Sequence, residues 1–123
     1  MLSNTGRFSF DLESTGLDAH DSRIVGMSFC LSPEEAYYLP LICPDPKGNI
    51  PSLEVLRHFL FPILESPRIK KTGYNLKFDY KLLRAALGVE LRGIAFDGML
   101  AHYLLEPSGG TKSLDALSLE LLG

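Results

Sequence analysis

The feature that most constrains this chain is a strict two-residue alternation over residues 7–13, Arg-Phe-Ser-Phe-Asp-Leu-Glu. Phe8, Phe10 and Leu12 point one way; Ser9, Asp11 and Glu13 point the other. That period belongs to a β-strand with one apolar and one polar face. The apolar face must be buried, and two carboxylates are then left together on the opposite face. Ser14-Thr15-Gly16 ends the run. Residues 23–31 read as a second strand and Ala36 to Leu41 as a third, joined by the short polar stretch Ser32-Pro33-Glu34-Glu35, which fits a hairpin.

Beyond Pro44 to Pro51, a loop rich in Pro, Gly and Asp, the period changes. A helix is expected from Pro51, a favoured first-turn residue, with Leu53, Leu56, Leu60 and Leu64 at helical spacing and Pro62 kinking or shortening its end. Residues 68–73 make a short strand. A second helix runs from Asn75 to Leu87 with an apolar stripe of Leu76, Tyr80, Leu83 and Leu87, and stops at Gly88. Ile94-Ala95-Phe96 is a short strand. Asp97 caps a third helix, Gly98 to Leu105, and Ser113 caps a fourth, Leu114 to Leu122. Three strands followed by alternating helix and strand imply an α/β fold with a mixed sheet. Its first part is antiparallel, and parallel strands are added through helical crossovers, with helices flanking the sheet. The chain stops inside a helical pattern whose Leu119, Leu121 and Leu122 need a surface to pack on. The expectation is one domain over 1–123, incomplete at the C-terminus.

A length of 123 residues fits one domain, and no apolar run approaches the ~18 residues that span a bilayer, so no membrane partner is expected. The N-terminus lacks the pattern of a signal peptide. Cys30 and Cys43, each in an apolar context, are expected as two buried free thiols in a reducing cytoplasm. The net charge of −3 is the wrong sign for a module that grips nucleic acid by phosphate neutralisation alone, and suits an acidic metal site better.

Asp11 and Glu13 stand about 7 Å apart along the strand, at ~3.4 Å per residue. Such close carboxylates repel unless a cation lies between them. Oxygen ligands without His or Cys suit Mg²⁺ or Mn²⁺ rather than Zn²⁺. A lone D-x-E on a strand is also an ordinary solvated face. Asp79 falls in or beside the apolar stripe of the second helix, where a charge is costly unless paired. Two answers stand: a salt bridge to Lys77 or Lys81 (or partial exposure at the stripe's edge), or a third carboxylate aimed at a cation held by Asp11 and Glu13.

The stretch Phe8-Ser9-Phe10-Asp11-Leu12-Glu13-Ser14-Thr15-Gly16-Leu17-Asp18 resembles the first motif of the DEDD exonuclease superfamily in its DNA polymerase I version. Asn75-Leu76-Lys77-Phe78-Asp79 resembles the second motif, N-x-K-[FY]-D. Leu91-Arg92-Gly93-Ile94-Ala95-Phe96-Asp97, with Met99, Leu100 and Tyr103, is similar to the polymerase I exonuclease segment. The likeness runs from about Arg7 to Leu122, with a separation of 68 between Asp11 and Asp79 (79 − 11). It implies a ribonuclease H-like fold and a two-metal-ion 3′→5′ exonuclease that takes nucleoside 5′-monophosphates from DNA 3′ ends. The partners it implies are a single-stranded DNA 3′ end and a polymerase domain in the same parent chain.

By that resemblance Asp11 would bridge two divalent ions, Glu13 would bind the one that activates the attacking water, and Asp79 would serve the second. Leu17 matches an apolar residue that wedges against terminal bases, or is a partly buried turn residue. Asn75 matches a motif position near the strand, or caps its helix, or both. Ser14 contacts the terminal nucleotide or is a turn hydroxyl, and Phe78 is carried over as a motif position at the substrate. Lys77, Lys81 and Arg84 approach phosphates or are solvated helix charges. The third motif, Y-x-x-x-D or H-x-x-x-D, has no match after Asp79: Thr111 stands four before Asp115, and His102 and Tyr103 are followed at that spacing by Glu106 and Pro107. Three of four acidic ligands are therefore present, and these residues alone are expected to be nearly inactive. The competing readings are a non-catalytic nucleic-acid-binding or structural domain of a polymerase, and an RNA exonuclease resembling ribonuclease D.

Overall fold

The computed structural model describes residues 5–19, 21–42, 48–110 and 112–123. Five strands form one mixed sheet in the order β3-β2-β1-β4-β5. β1 (Arg7–Ser14) pairs antiparallel with β2 (Ile24–Ser32), which pairs antiparallel with β3 (Glu35–Pro40). On its other side β1 runs parallel to β4 (Lys70–Gly73), and β4 runs parallel to β5 (Ile94–Asp97). The expected antiparallel start and parallel continuation are both present. Helices α1 (Leu53–Phe59) and α2 (Phe61–Glu65) lead from β3 to β4, and α3 (Leu76–Leu87) from β4 to β5. Helices α4 (Gly98–Leu105) and α5 (Leu114–Leu122) follow.

Alternation in β1 is complete: Phe8, Phe10 and Leu12 are buried while Ser9, Asp11 and Glu13 are exposed. The three buried side chains join Met27 and Phe29 of β2 and, from the helical side, Leu56, Leu60, Leu64, Leu76, Leu82 and Leu83. Phe8 meets Phe29 edge-on at 5.9 Å between ring centroids. Lys71 also enters this core, fully buried, with its Nζ donating to the Ser66 carbonyl at 2.7 Å and lying 6.0 Å from the Phe8 ring centroid. Burial, and secondarily the charge of Lys70, pushes its pKa down to about 8.

Several sequence expectations are corrected. The first helix begins after Ser52, whose side chain accepts from the Val55 amide, so Pro51 lies outside it. Leu53, the first residue of that helix, is exposed. Pro62 kinks and shortens the helix, as read: Leu60 keeps a helical conformation between α1 and a separate short helix in whose first turn Pro62 sits. A proline there forfeits no helical hydrogen bond. In α3 the buried set is Leu76, Asp79, Leu82 and Leu83, with Tyr80 and Leu87 only half-buried. Cys30 is a free, half-buried thiol rather than a buried one, and Cys43 lies outside the described residues. Gly88 (φ 69°) closes α3 and the Ser113 side chain caps α5, as read.

Candidate metal centre

Asp11 and Glu13 project from the open face of β1, on the strand next to β4. The approach of β4 and its following turn to β1 is close because residue 73 is glycine: a Cβ there would stand 2.7 Å from the Phe10 carbonyl oxygen and 2.6 Å from the Leu76 side chain. The chain then turns through Asn75, the one non-glycine residue with positive φ among the described residues (φ 61°, ψ 41°), and enters α3. Asparagine tolerates that left-handed conformation better than most residues. Its side chain makes no cap hydrogen bond, so the expected capping role of Asn75 is not the one it plays. The amides at the start of α3 are taken instead by Asp97, whose Oδ1 accepts from Asn75 N at 3.0 Å and whose Oδ2 accepts from Leu76 N at 2.8 Å. Asp97 also caps α4, as read, accepting from Met99 N at 2.9 Å and Leu100 N at 3.4 Å.

This entry to α3 delivers Asp79 into the interior, 2% exposed. It makes no ion pair with Lys77 or Lys81, both of which are exposed, and it does not sit at a solvated edge; both simple explanations for it fail among the described residues. Burial first, and then the charge of Asp11, raise its pKa to about 7, with a smaller push from Asp97 and partial relief from the Leu12 backbone amide. Asp11 is raised as well, by desolvation and then by Glu13, and again the Leu12 amide opposes the shift. Asp11 is thus the electrostatic neighbour of both other carboxylates. Among the described residues no group of three or more acidic, His or Cys side chains is close enough together to hold a metal ion. The donor chemistry nonetheless fits a divalent cation. All the donors are hard oxygens, and the most buried of them has no counter-charge.

The remaining expected residues divide. Leu17 is 96% exposed, which removes the partly buried turn reading. Ser14 Oγ donates to the Gly16 carbonyl at 2.7 Å, so its turn role is real. Phe78 is half-buried and packs against the core cluster. Arg84 is exposed and donates to Tyr80 Oη at 3.1 Å. On the open face of the sheet a cavity of about 490 Å³ lies beside Asp11, with Ser9, Ser28 and Thr72 on its walls and Leu114 and Leu117 of α5 across from them. Ser9 Oγ and Thr72 Oγ1 share a hydrogen bond of 2.6 Å between neighbouring strands. Tyr74 Oη donates to the Lys112 carbonyl and fastens the α5 segment over this face.

The mixed sheet thus carries two carboxylates on its first strand, with a third, buried acid on the crossover helix. The family described as 3′-5′ exonuclease matches residues 1–123. DNA polymerase I of Pseudomonas aeruginosa is 35% identical over 121 residues, taking in 94% of this chain and 13% of that protein. DNA polymerase I of Chloroflexus aurantiacus is 34% identical over 120 residues, 98% of this chain and 12% of that protein. The chain therefore belongs to the 3′-5′ exonuclease family, in the version found in DNA polymerase I, and spans about an eighth of the length of these relatives. The POL domain of Pol1 from M. smegmatis, solved with DNA primer-template and dNTP, superposes with a TM-score of 0.76 at 22% identity over 98% of this chain and 20% of its own. Brucella melitensis NrnC with bound Mg²⁺ gives 0.72 at 19% identity, over 97% of this chain and 54% of its own. These two likenesses speak for the fold, which is ribonuclease H-like.

Proposed function

We propose that the chain supplies the acidic centre of a two-metal-ion 3′→5′ exonuclease that releases nucleoside 5′-monophosphates from single-stranded DNA 3′ ends, beside a polymerase domain in the same parent protein. The observation that carries this reading is the buried, uncompensated Asp79 carboxylate set against Asp11 in a chain of this family. Two Mg²⁺ or Mn²⁺ ions, when bound, would lower the pKa of an attacking water and stabilise both oxygens of an in-line displacement.

Asp11 stands between the other two carboxylates and is assigned to both ions. Glu13, exposed on the same strand face, is assigned to one of them and Asp79 to the other. Asp79 would ligate as the carboxylate, the form that burial and Asp11 disfavour in the absence of a cation. Leu17, fully exposed in the turn after β1, is assigned to wedge against the terminal base. Ser14, Asn75 and Phe78 are assigned to the terminal nucleotide on their motif positions. Among the described residues no helix is long and apolar enough to cross a membrane, and we place the activity with DNA in the cytoplasm. A fourth acidic ligand and a water-orienting Tyr or His have no match among these residues, so we assign the 123 residues alone very low activity.

Calorimetric titration of Mn²⁺ into the chain and into Asp11→Ala tests the reading. A binding event in the first and its loss in the second is the expected result. Equal binding by both proteins would move the metal elsewhere; no binding by either would leave a site that needs the fourth carboxylate or a fold that serves only as scaffold, and no binding by a longer chain that supplies that carboxylate would remove the acidic centre as a metal site. Rapid release of single nucleotides from a labelled DNA strand by these residues alone would overturn the low-activity assignment. Release from RNA but not DNA would favour the ribonuclease D-like reading.

A further inference from the structure

The start of α3 is unusual. An N-cap residue is ordinarily extended and satisfies the first amides with its own side chain. Asn75 is left-handed and does neither. Its neighbours' needs are met from 22 residues away in sequence, by Asp97 at the end of β5. One carboxylate there accepts from Asn75 N, Leu76 N, Met99 N and Leu100 N, so two helix starts hang on a single side chain. The strands bring it within reach, since Gly73 at the end of β4 is paired with Asp97 at the end of β5. Asp79 lies in the turn that this carboxylate holds, four residues after Asn75.

We propose that Asp97 is a positioning residue for the acidic centre: by clamping the left-handed entry to α3 it sets where Asp79 stands relative to Asp11. The proposal rests on the metal reading above and deepens it. Cap loss alone would lower stability without touching the site. Positioning requires that the first turn of α3 be free to shift once the clamp is gone. Gly73 and Asn75, the residues leading into that turn, are conformationally permissive types, so the chain itself offers little resistance. Outer partners that orient ligands typically change metal affinity by about ten- to a hundredfold when removed.

The test compares Asp97→Asn and Asp97→Ser with Ser52→Ala. Serine is a good local N-cap and keeps α4 satisfied, but its one short oxygen cannot also reach Asn75 and Leu76. Ser52→Ala removes the cap of α1, remote from the site, and controls for stability loss alone. Two readouts are taken on the whole chain. Without metal, the backbone amide resonance of Leu12, which senses both Asp11 and Asp79, is expected to move in both Asp97 variants and stay in place in Ser52→Ala. With Mn²⁺, the Asp97 variants are expected to bind at least about tenfold more weakly, and Ser52→Ala as the parent does. An unmoved Leu12 amide in folded Asp97→Ser overturns the proposal, as does unchanged Mn²⁺ affinity in that variant. If the parent binds no Mn²⁺ while the Leu12 amide still shifts, the clamp stands, and the metal reading alone is carried to the titration of a longer chain that supplies the fourth carboxylate.

Discussion

The two ends of this chain use their apolar residues in opposite ways. Around β1 and α3, Phe8, Phe10, Leu76, Leu82 and Leu83 are buried to within a few per cent. In α4 and α5, Leu104, Leu105, Leu119, Leu121 and Leu122 are each more than 70% exposed, although the local sequence is richer in leucine. The difference teaches that leucine spacing makes a helix but does not make a core. A core needs a second apolar surface facing the first, and the helical side of the sheet has one. Polar ties join the second region to the first: Asp97 accepts from the Asn75 and Leu76 amides, and Tyr74 donates to the Lys112 carbonyl, while the Ser113 cap and the Lys112–Glu120 ion pair act within the α5 segment itself.

The largest test of this contrast is one truncation made at each end. Leu82→Ala removes a side chain with no exposure and is expected to cost about 2–5 kcal/mol, the transfer loss plus a cavity. Leu122→Ala, at 86% exposure, should change stability by less than about 0.5 kcal/mol. Urea denaturation of both variants at one pH reads the difference. Equal costs would mean that Leu122 is packed in solution as tightly as Leu82, and the contrast would break.

A smaller effect comes from the buried acid. A carboxyl whose pKa rises on folding favours the folded state most when protonated. Asp79 therefore stabilises fully below its ordinary pKa of 3.8, and that contribution is lost as pH rises through about 7. At ~1.4 kcal/mol per unit the ceiling is roughly 4 kcal/mol, and partial solvation of the ionised group brings the expected effect to about 2 kcal/mol. Asp79→Asn should accordingly raise stability at pH 8.5 and leave it nearly unchanged at pH 4. Mn²⁺ should stabilise the parent at pH 8.5 and do little for the variant, because an ion that binds only the folded state adds to its stability. A parent and a variant with parallel pH profiles would show that Asp79 is solvated.

Much of this architecture is legible in the sequence because it rests on local periods. The β1 alternation, the α3 stripe around Leu76 and Leu83, and the caps at Asp97 and Ser113 all follow from residues within one turn or one strand of each other. What is missed is long-range. Residue spacing leaves Asp79 undecided between a lysine partner and a buried acid, because the choice depends on where Lys77 and Lys81 point once the helix is docked. The Asp97 link to Asn75 and Leu76 depends on two parallel strands ending side by side, which no window of sequence contains. Leu82 is missed for a related reason: the buried face of α3 is turned toward Asp79 and Leu82 and away from Tyr80, a rotation set by how the helix docks and not by its leucine spacing.

The smallest expected effect sharpens what the exposed leucines mean. An apolar patch on a folded surface costs little stability while it stays in water, and it binds other apolar surface when that is offered. Replacing Leu105, Leu121 and Leu122 together by lysine removes three exposed members, at 82%, 71% and 86%, without touching Leu117, which faces the cavity beside Asp11. Each change should shift stability by no more than about 0.5 kcal/mol, while fluorescence of a bound apolar dye falls and concentration-dependent light scattering decreases. A loss of folding in the triple variant would show that these leucines belong to a core after all. Unchanged dye binding would assign the exposed apolar surface to β3 and β5, where Tyr37, Tyr38, Ile94 and Phe96 are also open.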